Sequence, residues 1–391
     1  MNREYHKEVF AHDTLTNKGF GTCIALSGNG QRLFIGIPKA DYNDYKEAGI
    51  VHVFKKTRTG WHKEFMIGPY QPENSRRFGL SIATNYEGTR LIVSSPYANW
   101  HDRTQCGYVS LYDLINGEWV SDNFFARVAE DGQTFGAKVV MSQSGATVVV
   151  LASYSGRDIG DFQPSINQIY VYHQNGRWLR ELLSLPEGTI IEPTDIEISG
   201  NGNSMIVASG HHKKFYFFER TNDDSRTWVY HNHADISSEV CSFSINHNGD
   251  TVAKSSLDDN GLATISIFNK CHSEKMKRTD WTIQTTLAFK RNQGKDIFYR
   301  GSLAINDKGN LIFAGLPNID PSMGQKKDIE ASGIILAKES GFWRPMDYLL
   351  TPMGEAKCSS MGCSIAVDKS GHTIALGGVN TNSVYLYGED H

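Results

Sequence analysis

Short apolar runs bounded by polar turns recur along the whole chain, and the turns share one design. Gly30, Gly88, Gly145, Gly202, Gly249, Gly309 and Gly371 close the segments SGNG, NYEG, SQSG, SGNG, NHNG, NDKG and DKSG. Their spacing sets a repeat of roughly sixty residues, with the jitter of units whose loops vary in length. Glycine suits such turns because a tight hairpin needs positive φ, which costs a residue without Cβ little.

Upstream of each glycine the same place is apolar: Ile24, Ile82, Val139, Ile196, Phe243, Leu303 and Ile365. The next position holds Ala25, Ala83, Val140, Glu197, Ser244, Ala304 and Ala366, mostly small. That alternation has the period of a strand with two different neighbours. A second run follows the glycine, as at 33–36, 91–94 and 148–151. A third lies beyond a variable loop, at 51–54, 109–112, 169–172, 215–218, 265–268, 334–336 and 384–387. Trp61, Trp119, Trp178, Trp228, Trp281 and Trp343 open a fourth, and their recurrence marks them as packing between units. Four short antiparallel strands per unit, repeated seven times with no long helical period, predict an all-β fold, a seven-bladed β-propeller. Its blades start near residues 20, 78, 135, 192, 239, 299 and 361 of one propeller domain spanning 1–391.

The two ends of the sequence supply the closure. The last unit stops at Tyr387, after its third strand, with no tryptophan-led fourth. Near the N-terminus, Tyr5-His6-Lys7-Glu8-Val9-Phe10 matches Trp61-His62-Lys63-Glu64-Phe65-Met66 almost residue for residue. The segment 1–12 is therefore expected to complete the last blade, with Tyr5 in the tryptophan position, so that no sheet edge is left open.

Composition narrows the partners. The net charge of −4 is spread over interspersed acids and bases, which argues against a nucleic-acid groove. No apolar stretch approaches a membrane span, and the start MNREYHKEVF is too polar for a signal peptide. Cys23, Cys106, Cys241, Cys271, Cys358 and Cys363 show neither paired metal spacing nor a disulfide framework, as expected of a chain folded in a reducing cytoplasm.

Phe20-Gly21, Phe78-Gly79 and Phe135-Gly136 open three units, with Met361-Gly362 as a weaker fourth. Gly36-Ile37-Pro38, Ser95-Pro96 and Gly315-Leu316-Pro317 follow second strands, and 49–54 and 107–112 carry a shared third-strand signature. This resembles the FG-GAP repeat of integrin α-subunit propellers and of many bacterial and phage proteins. Glu192-Pro193 and Glu239-Val240 occupy the FG position in blades four and five, where the letters are lost. The resemblance implies calcium in an Asp-rich loop between first and second strands, but here those connections are tight turns. Asp307 and Asp368 read as turn formers, and no cofactor or metal is expected there. Two acidic clusters sit elsewhere, Asp41, Asn43, Asp44 and Glu47, and Asp258, Asp259 and Asn260; neither is expected to hold an ion.

No catalytic constellation stands out. The 14 histidines are scattered, His211-His212 reads as a solvated turn, and Asp195 and Glu197 alone bring acids to the first strands. The long loops between second and third strands, in blades one to three and six, are the singular feature. Those of the first three blades crowd one sector of one face and carry Tyr42, Tyr45, Tyr97, Trp100, His101, Arg103, Tyr154, Arg157 and Phe162. Aromatic residues and arginine dominate interface hot spots, though such rings also pack beneath their own loops. The expectation is a non-catalytic binding or structural propeller that presents these loops to a protein or glycan partner in a larger assembly, without nucleic acid or membrane insertion. Analogy with the phage members places it in a virion, in head, tail or baseplate, after synthesis in the host cytoplasm. A cytoplasmic scaffold propeller and a polysaccharide-acting enzyme are the alternatives.

Overall fold

In the computed structural model, the described residues are 6–11, 18–126, 130–153, 167–183, 193–210, 212–221, 227–236, 240–257, 263–273, 278–289, 302–319, 330–351, 361–378 and 383–388. They form seven antiparallel sheets of four strands each, and no helix occurs among them. The innermost strands are Cys23–Leu26, Ile82–Thr84, Phe135–Met141, Asp195–Ile198, Val240–Ile245, Leu303–Ile305 and Met361–Val367. Each touches the innermost strand of the next blade, and the last touches the first, so the sheets close into a ring around an axial channel. This is a seven-bladed propeller.

The closure uses the chain's two extremities. His6–Ala11 pairs antiparallel with Ser383–Gly388, in a register that sets Lys7 against Tyr387 and Phe10 against Val384. The N-terminal strand is thereby the outermost strand of blade 7, as the match with 61–66 predicts. Tyr5 lies outside the described residues.

The repeat's letters acquire physical roles. All seven turn glycines have positive φ, between 64° at Gly309 and 86° at Gly371. Before each, a short polar side chain caps the turn. Ser27 Oγ accepts the Arg32 N–H at 2.9 Å, Asn85 Oδ1 the Arg90 N–H at 2.9 Å, and Asp368 Oδ1 the Gly371 N–H at 2.7 Å. Asp368 is thus a turn former. Asp307 is engaged otherwise, as described below.

The core is seven apolar clusters, each shared by two neighbouring blades. Each repeated tryptophan packs into the cluster between its own blade and the preceding one. Trp119 meets Phe34 edge-on at 6.0 Å, Trp281 stacks on Phe217 at 4.6 Å, and Trp343 Nε1 donates to Gln284 Oε1 at 3.2 Å. A large flat ring covers the gap between two splayed sheets at little conformational cost, which is why the position repeats. Glycine recurs at the inner seam because backbones nearly touch there. A Cβ on Gly36 would lie 2.1 Å from the Gly79 carbonyl oxygen, and one on Gly315 2.1 Å from that of Gly362.

Candidate functional site

The loops leaving the second strands of blades 1 and 2 are near copies. In the first, Tyr42 and Tyr45 exchange backbone hydrogen bonds of 3.0 and 3.1 Å, and the Gly49 N–H donates to the Ala40 carbonyl at 2.9 Å. In the second, Trp100 and Arg103 exchange bonds of 3.0 Å, and the Gly107 N–H donates to the Ala98 carbonyl at 3.0 Å. Matching residues take the left-handed conformation, Asn43 with His101 and Glu47 with Gln105. Both loops are pinned to the segment entering the next blade. Phe78 N–H donates to the Ala48 carbonyl at 2.9 Å, and Phe135 N–H to the Cys106 carbonyl at 2.8 Å. Carboxyl and carboxamide groups reinforce them: Asn74 Oδ1 accepts the Lys46 N–H, and Asp131 Oδ1 the Thr104 N–H, at 2.8 and 2.6 Å.

The aromatic residues of the sector divide into two kinds. Trp100 is only partly exposed; its ring stacks on Phe125 at 3.9 Å, with His101 edge-on at 4.8 Å. Tyr42 lies over Gly68, where a Cβ would come within 2.2 Å of its ring, and packs against the cluster between blades 7 and 1. Tyr97 is half-buried beneath Arg77, whose guanidinium carbon stands 5.3 Å from the ring centre. These three rings hold their loops to the disc. Tyr45, His101 and Arg103 instead face solvent, Arg103 beside Asp131 at 3.3 Å. Tyr154, Arg157 and Phe162 lie outside the described residues, and so do Asp258, Asp259, Asn260 and His211.

In the acidic cluster of the first loop, Asp41 is engaged by its own loop and by Lys18. Asp41 accepts the Glu47 N–H at 3.0 Å and the Lys46 ammonium at 2.9 Å, with Lys18 at 3.3 Å. The Glu47 amide first, then Lys46, hold its carboxyl well below the ordinary range. Among the described residues no group of three His, Cys, Asp or Glu is arranged to hold a metal ion.

The second feature of this face is the channel mouth, because the innermost strands run from the loop face toward the turns. The cavity measures about 350 Å³. Cys23, Ser81, Lys138, Ser242, Ser302 and Ser364 line its mouth, one per blade, and Asp195 holds the corresponding strand position in blade 4. The serines clasp neighbouring blades. Ser81 Oγ accepts the Val139 N–H at 3.0 Å, Ser242 Oγ the Leu303 N–H at 3.2 Å, and Ser364 Oγ donates to the Gly21 carbonyl at 2.5 Å. Blades 3 and 4 break the pattern with charge: Lys138 Nζ lies 3.4 Å from Asp195 Oδ1 and 3.6 Å from Glu197 Oε1. Burial opposes the Lys138 ammonium, yet Asp195 and Glu197 outweigh it and hold its pKa above the ordinary value. Burial pushes the Glu197 carboxyl up to about 7, Asp195 adding to the rise while Lys138 and Lys369 oppose it. Burial likewise raises the Cys23 thiol to about 11, which keeps it protonated and unreactive at neutral pH.

The far end of the channel is spanned by side chains. Successive turns are linked by backbone bonds, among them Asn29 N–H to Tyr86 O at 3.0 Å and Tyr86 N–H to Gln143 O at 2.8 Å. From blade 3, Gln143 Nε2 reaches Asp307 Oδ1 of blade 6 at 2.5 Å, a bond between non-adjacent blades that must cross the axis. The other side chains at this level need room, which glycines supply. A Cβ on Gly28 would stand 2.4 Å from Tyr86, and one on Gly200 2.5 Å from Gln143 and 2.7 Å from His247.

Comparison with solved structures agrees with the sheets. The β-propeller domain of Myceliophteria thermophila Cps50 (Swd1) superposes with a TM-score of 0.61 over 98% of this chain and 99% of its own, at 12% identity. The likeness is one of fold. At that identity it carries no activity and no partner. No family model matches the chain, and no curated protein matches it.

Proposed function

We propose that the protein is a non-catalytic interaction module whose loop face, in the sector of blades 1 and 2, docks a protein or glycan partner. The observation that carries this reading is the pair of matched loops, each closed by a two-way backbone bridge and pinned to the next blade, with Tyr45, His101 and Arg103 held outward at their tips. Loops fixed in this way lose little entropy on binding, which is how a rigid scaffold raises affinity. Tyrosine and arginine are the side chains that most often dominate such contacts.

Catalysis finds less support. Glycosidic hydrolysis works with two carboxyl groups on opposite sides of the scissile bond. Asp195 and Glu197 project from one strand and share Lys138 from one side of the channel.

The finer reading is a phage virion component, synthesised in the host cytoplasm, and it rests on the FG-GAP resemblance of Phe20-Gly21, Phe78-Gly79 and Phe135-Gly136. A cytoplasmic scaffold is the competing reading. Mass spectrometry of purified particles tests it: stoichiometric presence of the chain supports the virion, and absence removes it. For the loop face, replacing Tyr45, His101 and Arg103 by alanine is expected to abolish partner association while leaving the melting temperature within about 2 °C, as for surface positions generally. Unchanged association would refute the docking sector.

A further inference from the structure

The outer strand of each blade has one side unpaired, and most of these edges are blunted. Gly60–Ile67, Trp228–Asp235, Arg278–Phe289 and Phe342–Thr351 each carry a register shift against the third strand, and the last also contains Pro345. Bulges and prolines keep an edge from pairing with another chain. Glu118–Phe124 has no shift, but Asp122 Oδ1 accepts the Asn123 N–H at 2.8 Å and takes that donor off the edge. Among the described residues of blades 1 to 6, only the outer strand of blade 3, Arg177–Leu182, lacks these devices. It pairs with Gln168–Asn175 in unbroken register, contains no proline, and no side chain bonds to its backbone N–H groups.

The phase of that pairing fixes which groups the edge offers. Leu183 N–H donates to the Ile169 carbonyl at 2.9 Å, and an antiparallel ladder alternates. Arg177, Leu179 and Glu181 therefore turn their backbone groups toward the sheet, whereas Trp178, Arg180 and Leu182 turn theirs outward. Beside these groups Leu179 and Leu182 are 43 and 51% exposed, and Arg177 and Arg180 face solvent. The one acid of the strand, Glu181, is drawn to His173 Nε2 at 3.9 Å. The edge thus combines open backbone groups, apolar surface and positive charge.

We propose that this edge accepts an extended apolar and acidic segment of a partner protein as a fifth, antiparallel strand of blade 3. In strand addition the backbone bonds supply affinity and the side chains on either face supply selectivity. Directly opposite residues interact, so the complementary segment sets apolar residues against Leu182, Leu179 and Trp178 and acids against Arg180 and Arg177. A second copy of the chain fits less well, because it would bring another Arg177 and Arg180 to an edge that already carries them. The site lies on the rim of the disc and stands independently of the loop-face reading.

The test is a ligand-observed NMR titration of the full chain with the acetylated, amidated hexapeptide Val-Thr-Glu-Val-Val-Glu, written to lie antiparallel from Leu182 to Arg177. Saturable binding is expected. N-methylation of the peptide's first glutamate and last valine, whose N–H groups meet Arg180 and Trp178, should weaken it about tenfold or more. The charge-reversed peptide Val-Thr-Lys-Val-Val-Lys should not bind the parent protein and should bind the double variant Arg177→Glu, Arg180→Glu. If that variant does not fold, the N-methylated and charge-reversed peptides still decide the matter on the parent chain. Absence of saturable binding, undiminished binding of the N-methylated peptide, or equal binding of the charge-reversed peptide to the parent would each overturn the proposal. So would a dimer in sedimentation that the hexapeptide dissociates, since a second copy would then own the edge. Replacing Tyr45, His101 and Arg103 by alanine leaves this titration unchanged, so the two readings fail separately.

Discussion

Gln143 and Asp307, on the turns of blades 3 and 6, meet across the propeller axis through a hydrogen bond of 2.5 Å. The bond ties opposite sides of the ring at the end away from the docking loops. Neighbouring blades are already stitched by backbone bonds between turns, so this link is an added strut. Hydrogen bonds to charged groups contribute about 1.5–3 kcal/mol when desolvated and less when water competes. Gln143→Ala and Asp307→Ala are each expected to destabilise by roughly 1 kcal/mol, and a double-mutant cycle in urea should return a coupling of similar size. Additive effects would show that the two side chains do not interact in solution.

The seam tryptophans are the costliest side chains to remove. Trp228 is 4% exposed and sits among residues of blades 3 and 4. Trp228→Ala should cost about 3–5 kcal/mol, as large aromatic truncations in cores do. Trp100→Ala should cost perceptibly less, roughly 1–2 kcal/mol, because one face of its ring rests on Phe125 and the other side meets solvent. Chemical denaturation of both variants gives the comparison, and an equal loss would place Trp100 in the core.

Removal of residues 1–12 deletes the strand that pairs with Ser383–Gly388. Blade 7 then exposes a row of unpaired backbone groups, a template for another chain. The truncated protein should aggregate or unfold at temperatures where the intact chain is native, as light scattering would record. A monomer of unchanged stability would contradict the latch.

Ionisation of Glu197 works against the fold. Its carboxyl is raised to about 7 in the folded chain, while in the unfolded chain it titrates near 4.5. Between these values the folded state holds the extra proton, so stability falls as pH rises through this window and the loss is complete above pH 7. Glu197→Gln removes the loss. The variant should match the parent near pH 4 and exceed it by roughly 1–3 kcal/mol at pH 8. A variant no more stable than the parent at pH 8 would contradict the burial of an ionised carboxyl.

The ring was legible because its signals are periodic. Turn glycines, third-strand runs and seam tryptophans each recur at one place per unit, and the match of 5–10 with 61–66 identified the latch. The candidate sites were less legible because they depend on departures from the period. Lys138 occupies the place of Ser81 and Ser242, and its partners Asp195 and Glu197 come from the next unit. Only the alignment of all seven first strands exposes the anomaly. The turn positions Tyr86, Gln143, His247, Asp307 and Lys369 share no chemistry at all, so no pattern announced that Gln143 would reach Asp307. Likewise, the sequence showed Trp100 in a loop but not Phe125 beneath it. That contact comes from the segment after the fourth strand of the same blade, brought back to the loop face.

The central claim is that the loop face, and not the turn face, engages the partner. Tyr45 on the first and Tyr86 on the second are equally accessible, 40 and 41% exposed, which makes them a matched pair. A photo-reactive amino acid placed at each in turn, irradiated in the native assembly and read by mass spectrometry, compares the two faces directly. The account predicts a partner cross-linked through position 45 and none through position 86; cross-linking through 86 alone, or equally through both, would contradict it.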